Sequence, residues 1–413
     1  MAVSLEEAQE VVLSLAQVLP VEKVPLTMSY GRVLGRTLFA DRDFPPFNRS
    51  PLDGYALIAA DVVSATPEQP VILQQVDNVP AGTVSTVAVK PGTACRIMTG
   101  APIPAGATGV IRLEDTKTID NQVYVLDGRG AAKNICLKGE EIAAGEELIA
   151  AGTKIGFGAM GMLSVYGEAE PYVYRQPTVA LLSTGSELVP VDQPLAPGKI
   201  RNSNSYMICG QILAAGAIPV LLGSVPDERE AIVAGLRRAE DCDVVITTGG
   251  ASVGDRDLIA AVFQSIGVKI LFTRVEMKPG MPVVAGVKDG KLFLGLSGNP
   301  SAASIAFEQI ARPLLLRMGG CKAWFRPRIQ ACLAAPFKKS TGAKRFVWAK
   351  WWQEGGQMLV APSVMQGNGM LKSAIAANSL ICIPANSPPL AVGAEVSVML
   401  LIDSDSNNCV SLS

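Results

Sequence analysis

Three apolar, strand-like runs in the second half of the chain each end in a glycine-rich turn that leads on to a helix, and this constrains the fold more than any other feature. Thr178-Val179-Ala180-Leu181-Leu182 runs into Ser183-Thr184-Gly185-Ser186-Glu187. Asp243-Val244-Val245-Ile246-Thr247 runs into Thr248-Gly249-Gly250-Ala251-Ser252-Val253-Gly254-Asp255-Arg256-Asp257. Lys291-Leu292-Phe293-Leu294-Gly295-Leu296 runs into Ser297-Gly298-Asn299-Pro300-Ser301. Helical patterns fall between these runs, and that alternation implies a parallel sheet covered by helices on both faces. In such a sheet the turns lie at the carboxyl ends of the strands, where ligands bind.

The physics of the three turns is shared. Glycine admits positive φ and a close backbone approach, so successive N–H groups can point at one oxyanion. The helix that follows adds unpaired first-turn amides and the positive end of its dipole. Asn299 suits an N-cap, and Pro300 suits the first helical position. One such turn also serves as a mere tight connection; three, each carrying Ser or Thr, point to an anion or phosphate site. Its backbone and hydroxyl candidates are Ser183, Thr184, Gly185, Gly249, Gly250, Ser252, Gly298 and Asn299. None of the turns has the spacing of a Walker P-loop or of a GxGxxG dinucleotide fingerprint.

Asp255 and Asp257 stand two residues apart in the second turn. Carboxylates beside a phosphate commonly hold Mg²⁺, a hard cation that prefers oxygen. The alternative is a solvated turn in which Asp255 pairs with Arg256. Lys278 precedes Pro279-Gly280, a stiff loop well suited to fixing one cation against an oxyanion; standing alone it would read as a surface lysine.

Composition narrows the chemistry further. The chain has no histidine, which excludes a Ser-His-Asp triad, a Cys-His pair and a histidine zinc site. Lys+Arg is 36 against Asp+Glu 37, so no overall charge draws it to nucleic acid or an anionic membrane. Eight cysteines without a CxxC read as reduced, mostly buried thiols. The first residues, with Leu5, Ala8, Val11, Val12 and Leu15 at helical spacing and acids near the start, form an amphipathic helix and not a signal peptide. No run reaches the roughly 20 apolar residues a membrane span requires, so a soluble, cytoplasmic protein is expected.

The expected architecture is multidomain α/β plus β. Residues 1–45 with 146–175 form an elongated, helical and mixed linking domain. Residues 46–145, with short β-branched runs broken by Gly and Pro, form a small β domain. Residues 176–320 form a three-layer α/β domain with a parallel sheet, closed by a helix from about Ser301 to Met318 that Pro313 should kink. Short strands in 321–403 suggest a C-terminal β-barrel, and the polar tail 404–413 is expected to be disordered.

The motifs Pro45–Leu57, Arg96–Ala107, Lys138–Gly145, Ser183–Leu188, Lys199–Ser205, Thr247–Asp257, Met277–Pro282, Ser297–Ala302 and Gln366–Leu380 together resemble those of molybdopterin molybdenumtransferases, the family that includes the gephyrin E domain. The resemblance covers nearly the whole chain. It implies an enzyme of molybdenum cofactor biosynthesis, a molybdopterin-binding type of central domain, and a homodimer with a shared active site. The implied reaction takes adenylylated molybdopterin and molybdate, and releases AMP with Mg²⁺. Transient contacts with the adenylylating enzyme and recipient molybdoenzymes would follow. Carried onto matching positions, Asp257 is the first candidate for metal binding and hydrolysis, and Glu187 is the acid of the TGxEL turn. Asp53 and Glu141 are acids that would face the partner subunit's crevice. Lys278 and Pro282 belong to the loop near molybdate, with Arg345, and Asn204 and Ser373 fall within matching substrate motifs.

The chain departs from the family pattern in places. Met281 stands where a second lysine is usual, which removes a cation worth about one to a few kcal/mol of oxyanion binding. Ser297 replaces a proline, Cys136-Leu137-Lys138 replaces a more basic stretch, and Glu141 lengthens an aspartate. Asn202 replaces a carboxylate, and Asn368 a hydroxyl residue. Two further readings stay open at this stage: a diverged module that binds or carries the pterin with weak insertion, and a molybdopterin-adenylylating enzyme.

Overall fold

The computed structural model describes residues 1–249, 256–365, 367, 369 and 371–401, with only the backbone described at 256 and 257. It divides into two compact units: Met1–Arg36 with Ala151–Met160 and Ala169–Ser413, and Thr37–Ala150 with Gly161–Glu168. The tail 404–413 lies outside the described residues.

In the first unit the strands needed below are β1 (Ala2–Val3), β2 (Thr178–Thr184), β3 (Ile218–Val225), β4 (Val244–Thr248), β5 (Lys269–Val275), β6 (Met277–Lys278), β7 (Pro282–Lys288) and β8 (Lys291–Leu296). Among the described residues, seven of these form one sheet in the order β1-β5-β7-β8-β4-β2-β3. The expectation of a parallel sheet holds for β8-β4-β2-β3 and for the edge pair β1–β5, and fails at β7 between them. The β5–β7 and β7–β8 pairs are antiparallel, so the sheet is mixed. The reason is local: Asp289-Gly290, both at positive φ, make a tight hairpin turn, and no helix intervenes between β7 and β8.

Both faces of the sheet are buried, which explains why the strands read as continuous apolar runs. Val179, Leu181, Val244, Ile246 and Leu294 face one core, with the helices α1 (Leu5–Ser14), α2 (Ser203–Ala214) and the closing helical segment. Ala180, Leu182, Val245 and Phe293 alternate into a second core beneath α3 (Arg229–Arg237) and α4 (Arg256–Ser265). Truncating a fully buried strand residue such as Ile246 to alanine would cost about 2–5 kcal/mol.

The strand β2 is anchored where it begins. Asp243 takes a bidentate pair from Arg175 (2.9 and 2.7 Å) and hydrogen bonds from the Thr178 amide and hydroxyl (both 2.8 Å). Burial pushes the Asp243 carboxyl up, but Arg175 and Thr178 together hold it below the ordinary aspartate value.

The closing segment is α5 (Pro300–Ala306), a π-helical stretch Phe307–Ala311, and α6 (Arg312–Met318). The interruption expected at Pro313 therefore takes the form of a widened turn just before it, since proline has no N–H to offer the preceding turn.

Beyond it, β9 (Arg328–Leu333), β10 (Lys344–Glu354), β11 (Gln357–Pro362), β12 (Ser379–Ile383) and β13 (Glu395–Leu400) pair as β10-β11-β9-β13-β12 and close through β10–β12. This is the expected barrel. The short β6 adds to it alongside β10, in parallel.

The second unit holds a small β domain, the type expected, and also takes in residues 37–45, 146–150 and 161–168, which were expected in a linking domain. Among its described residues six strands pair in the order Gly109–Arg112, Gly54–Leu57, Thr93–Ile97, Val71–Val79, Gln122–Val125 and Thr116–Ile119. Tyr55 and Leu57 face one apolar core and Ala56 the other, the period-2 alternation of a strand buried on both sides.

Candidate active site

The three glycine turns meet. Gly249 has φ +117, and a Cβ on it would lie 1.9 Å from the Thr184 carbonyl oxygen, so the first and second turns touch backbone to backbone. A Cβ on Gly298 would lie 3.3 Å from the Gly249 Cα, which brings in the third. Side chains staple the contact. Asn204 Nδ2 donates to Thr248 Oγ1 (2.9 Å) and to the Gly298 carbonyl (2.8 Å), and Thr248 Oγ1 donates to the Ser297 carbonyl (3.1 Å). Gly185 is tied by its amide to the Val225 carbonyl at the end of β3 (3.1 Å).

Between the turns opens a cleft of about 640 Å³. Ser183, Thr184, Glu187, Asn204, Gly249, Gly298 and Asn299 line it, seven residues expected from the sequence. Gly250, Ser252 and Asp255 lie outside the described residues, as does the Asp257 side chain; the Asp257 backbone is in the first turn of α4.

Several side chains have structural duties. Ser183 Oγ bonds Ser205 Oγ (2.8 Å) and donates to Asn202 Oδ1 (3.2 Å). Asn202 is the N-cap of α2, its Oδ1 accepting from the Ser205 amide (3.1 Å), so the replacement of a carboxylate here leaves a good cap. Ser297 Oγ accepts from the Asn299 amide (3.2 Å), a local bond that stiffens the turn where proline is usual. Asn299 occupies the N-cap position of α5, but its side chain makes no capping bond, contrary to expectation; it lines the cleft. Pro300 sits at the start of the helix as expected.

Lys278, Pro282 and Arg345 form a neighbouring group and are not among the residues lining the cleft. Lys278 and Arg345 are register partners in the β6–β10 pairing. The loop between β6 and β7 packs on α5: Gly280 has φ +94, and a Cβ there would meet the Ala302 carbonyl at 2.8 Å. Pro300, at the head of that helix, lines the cleft. Among the described residues Arg345 Nε is buried without a hydrogen-bond partner, and its guanidinium lies 5.9 Å from the Phe337 ring centroid. Ser373 is buried and donates to the Met365 carbonyl (2.5 Å), while nearby Gly369 and Leu371 reach the cleft.

Asp53 and Glu141 are exposed residues of the second unit. Asp53 Oδ1 accepts from the Thr99 amide (2.7 Å) and hydroxyl (2.8 Å), and these bonds hold its carboxyl below the ordinary value. The Glu141 amide donates to the Phe44 carbonyl (3.2 Å).

Sequence reading missed Asp227 and Arg201, both of which line the cleft. Asp227 Oδ1 is buried with no hydrogen-bond partner among the described residues, as are Asn204 Oδ1 and Thr184 Oγ1. The signal for Asp227 was present: an acid two residues past a parallel strand, at its carboxyl end.

The sequence matches three family models along its length: MoeA N-terminal region (domain I and II) over residues 3–167, probable molybdopterin binding domain over 180–317, and MoeA C-terminal region (domain IV) over 330–401. A molybdopterin molybdenumtransferase of Bacillus subtilis is 36% identical over 391 residues, 92% of this chain and 90% of that protein. One from Staphylococcus aureus is 34% identical over 96% of this chain and 95% of that protein. The crystal structure of a molybdopterin biosynthesis MoeA protein from Pyrococcus horikosii superposes with a TM-score of 0.82 at 31% identity, covering 98% of this chain and all of that one. The chain therefore belongs to the molybdopterin molybdenumtransferases, a family of transferases in molybdenum cofactor biosynthesis.

Proposed function

We propose that this enzyme inserts molybdate into adenylylated molybdopterin, with Mg²⁺-dependent cleavage of the pyrophosphate and release of AMP. The observation that carries the reading is the convergence of three backbone turns on one cleft that also holds buried, unpartnered oxygens. Two phosphates call for several amide cradles, which the turns at Thr184, Gly249 and Gly298 offer. Asp227 Oδ1 and Asn204 Oδ1 are hard oxygen donors of the kind Mg²⁺ takes, so the residues present fit the ion. Asp227 and Asn204, with Asp257 and Asp255, would hold it. When bound it would offset charge on the phosphates as the P–O–P bond breaks.

Around that bond the protein's own groups have distinct work. The amides of the turns would orient the phosphates, and Glu187, lining the same cleft, would orient the attacking oxygen and accept its proton. Lys278 and Arg345 would hold the molybdate dianion, with Pro282 shaping their loop. Gly185, Gly250, Ser252, Asn299 and Ser373 complete the substrate-binding set. We assign Asp53 and Glu141 to the crevice of a partner subunit in a homodimer, acting in the cytoplasm. Among the described residues no helix is long and apolar enough to cross a membrane.

The test is AMP release by the purified protein given adenylylated molybdopterin, Mg²⁺ and molybdate. Release that depends on both inorganic ions supports the reading. Its absence, under conditions where a relative turns over, would leave a pterin-binding module, the alternative that Met281 favours.

A further inference from the structure

We propose that Arg274 supplies the second cation of the molybdate site, the one a lysine at position 281 would otherwise carry, and that Met281 holds it in place. This rests on the molybdate reading above and names a residue that neither the motifs nor the cleft picks out.

A bend at Glu276 separates β5 from β6, and burial alternates through it. Val275 and Met277 are fully buried, while Arg274, Glu276 and Lys278 are exposed. The three exposed residues thus turn to solvent on either side of the bend. At about 3.3 Å per residue a straight strand would set the Arg274 and Lys278 Cα atoms roughly 13 Å apart, and the bend shortens that to a gap their two long side chains can close around one tetrahedral anion. The chain then folds back: the Val275 amide donates to the Met281 carbonyl (2.9 Å), and Arg274 is the register partner of Pro282. That return brings Met281 onto Arg274, whose Nε donates to the Met281 Sδ (2.9 Å).

The chemistry of this contact is the core of the inference. A thioether is a weak, neutral acceptor, so it orients Nε–H without neutralising the guanidinium. Both terminal nitrogens remain free to present the paired N–H groups that suit an oxyanion. Among the described residues Arg274 forms no ion pair, although Glu276 is exposed two residues away. A lysine at 281 would set a second positive charge against the guanidinium, at the place where the sulfur now sits. Methionine at 281 and arginine at 274 are thus a matched pair, and the loss of a lysine is a relocation of charge.

Calorimetric titration of the full-length protein with molybdate tests this through a double-mutant cycle. Arg274→Ala should weaken molybdate about tenfold to a hundredfold, the usual range for a charge-assisted contact. Arg274→Lys should retain most of the affinity. Met281→Lys alone should bring no gain, because the two cations repel, whereas Met281→Lys in the Arg274→Ala background should restore affinity to within a few fold of wild type. Arg274→Gln serves as the neutral variant if the alanine protein does not fold, judged by its melting curve. Unchanged affinity in Arg274→Ala and Arg274→Gln, with affinity lost in Lys278→Ala, would overturn the role of Arg274 and leave the molybdate reading standing. No molybdate affinity in the wild-type protein would overturn both.

Discussion

Gly249 and Thr184 are in backbone contact: any side chain at 249 would drive a carbon to within 1.9 Å of the Thr184 carbonyl oxygen. Space and conformation both exclude other residues here, since φ is +117. Gly249→Ala should destabilise the protein by about 1–3 kcal/mol and separate the first two turns. Thermal unfolding and nucleotide affinity, measured on the same sample, should both fall. An alanine variant with wild-type nucleotide affinity would contradict the backbone contact.

Asn204 joins the second turn to the third through two hydrogen bonds from one amide nitrogen. Asn204→Ala removes both and leaves the Gly298 carbonyl without that donor, at a cost of about 1–3 kcal/mol. Asn204→Asp leaves an acceptor where a donor is needed, so it should be at least as damaging. Urea unfolding of the two variants checks the order.

Asp227 is predicted to matter for turnover and not for folding. Its Oδ1 has no hydrogen-bond partner among the described residues, so Asp227→Asn should unfold at or above the wild-type temperature. If it helps hold Mg²⁺, AMP release should drop by about a hundredfold or more and need higher Mg²⁺. A Mg²⁺ titration of AMP release in both proteins separates the two effects.

The acid limb of stability should carry the signature of Asp243. Its carboxyl is depressed in the folded state by Arg175 and Thr178, against the pull of its own burial. The associated stability is therefore complete above the unfolded aspartate pKa, about 3.9, and is lost as pH falls through the lower folded value. Asp243→Asn should lose about 1–3 kcal/mol at neutral pH and show a flatter decline below pH 4. Denaturant unfolding at pH 7 and pH 3 would show it.

Much of this was legible because it is local. The strand-to-turn signals at Ser183, Thr248 and Ser297 depend on neighbouring residues only, and five of the residues they nominated line one cleft, joined there by Glu187 and Asn204 from the family motifs. The antiparallel β7–β8 hairpin was not foreseen, because a fully buried strand reads the same whichever way its neighbour runs. Asp227 was missed because one carboxylate after a strand looks like a solvated turn until the fold shows its oxygen buried and unpartnered. The Lys278–Arg345 pairing joins residues far apart in sequence and depends on β6 docking beside the barrel, which no short-range pattern encodes.

A crystal structure of the protein soaked with AMP and molybdate would show whether the three turns make one phosphate cleft. The nucleotide phosphate should sit in the cleft lined by Thr184, Gly249 and Gly298, with the oxyanion beside Lys278 and Arg345. A nucleotide bound elsewhere, with the cleft between those turns empty, would contradict it.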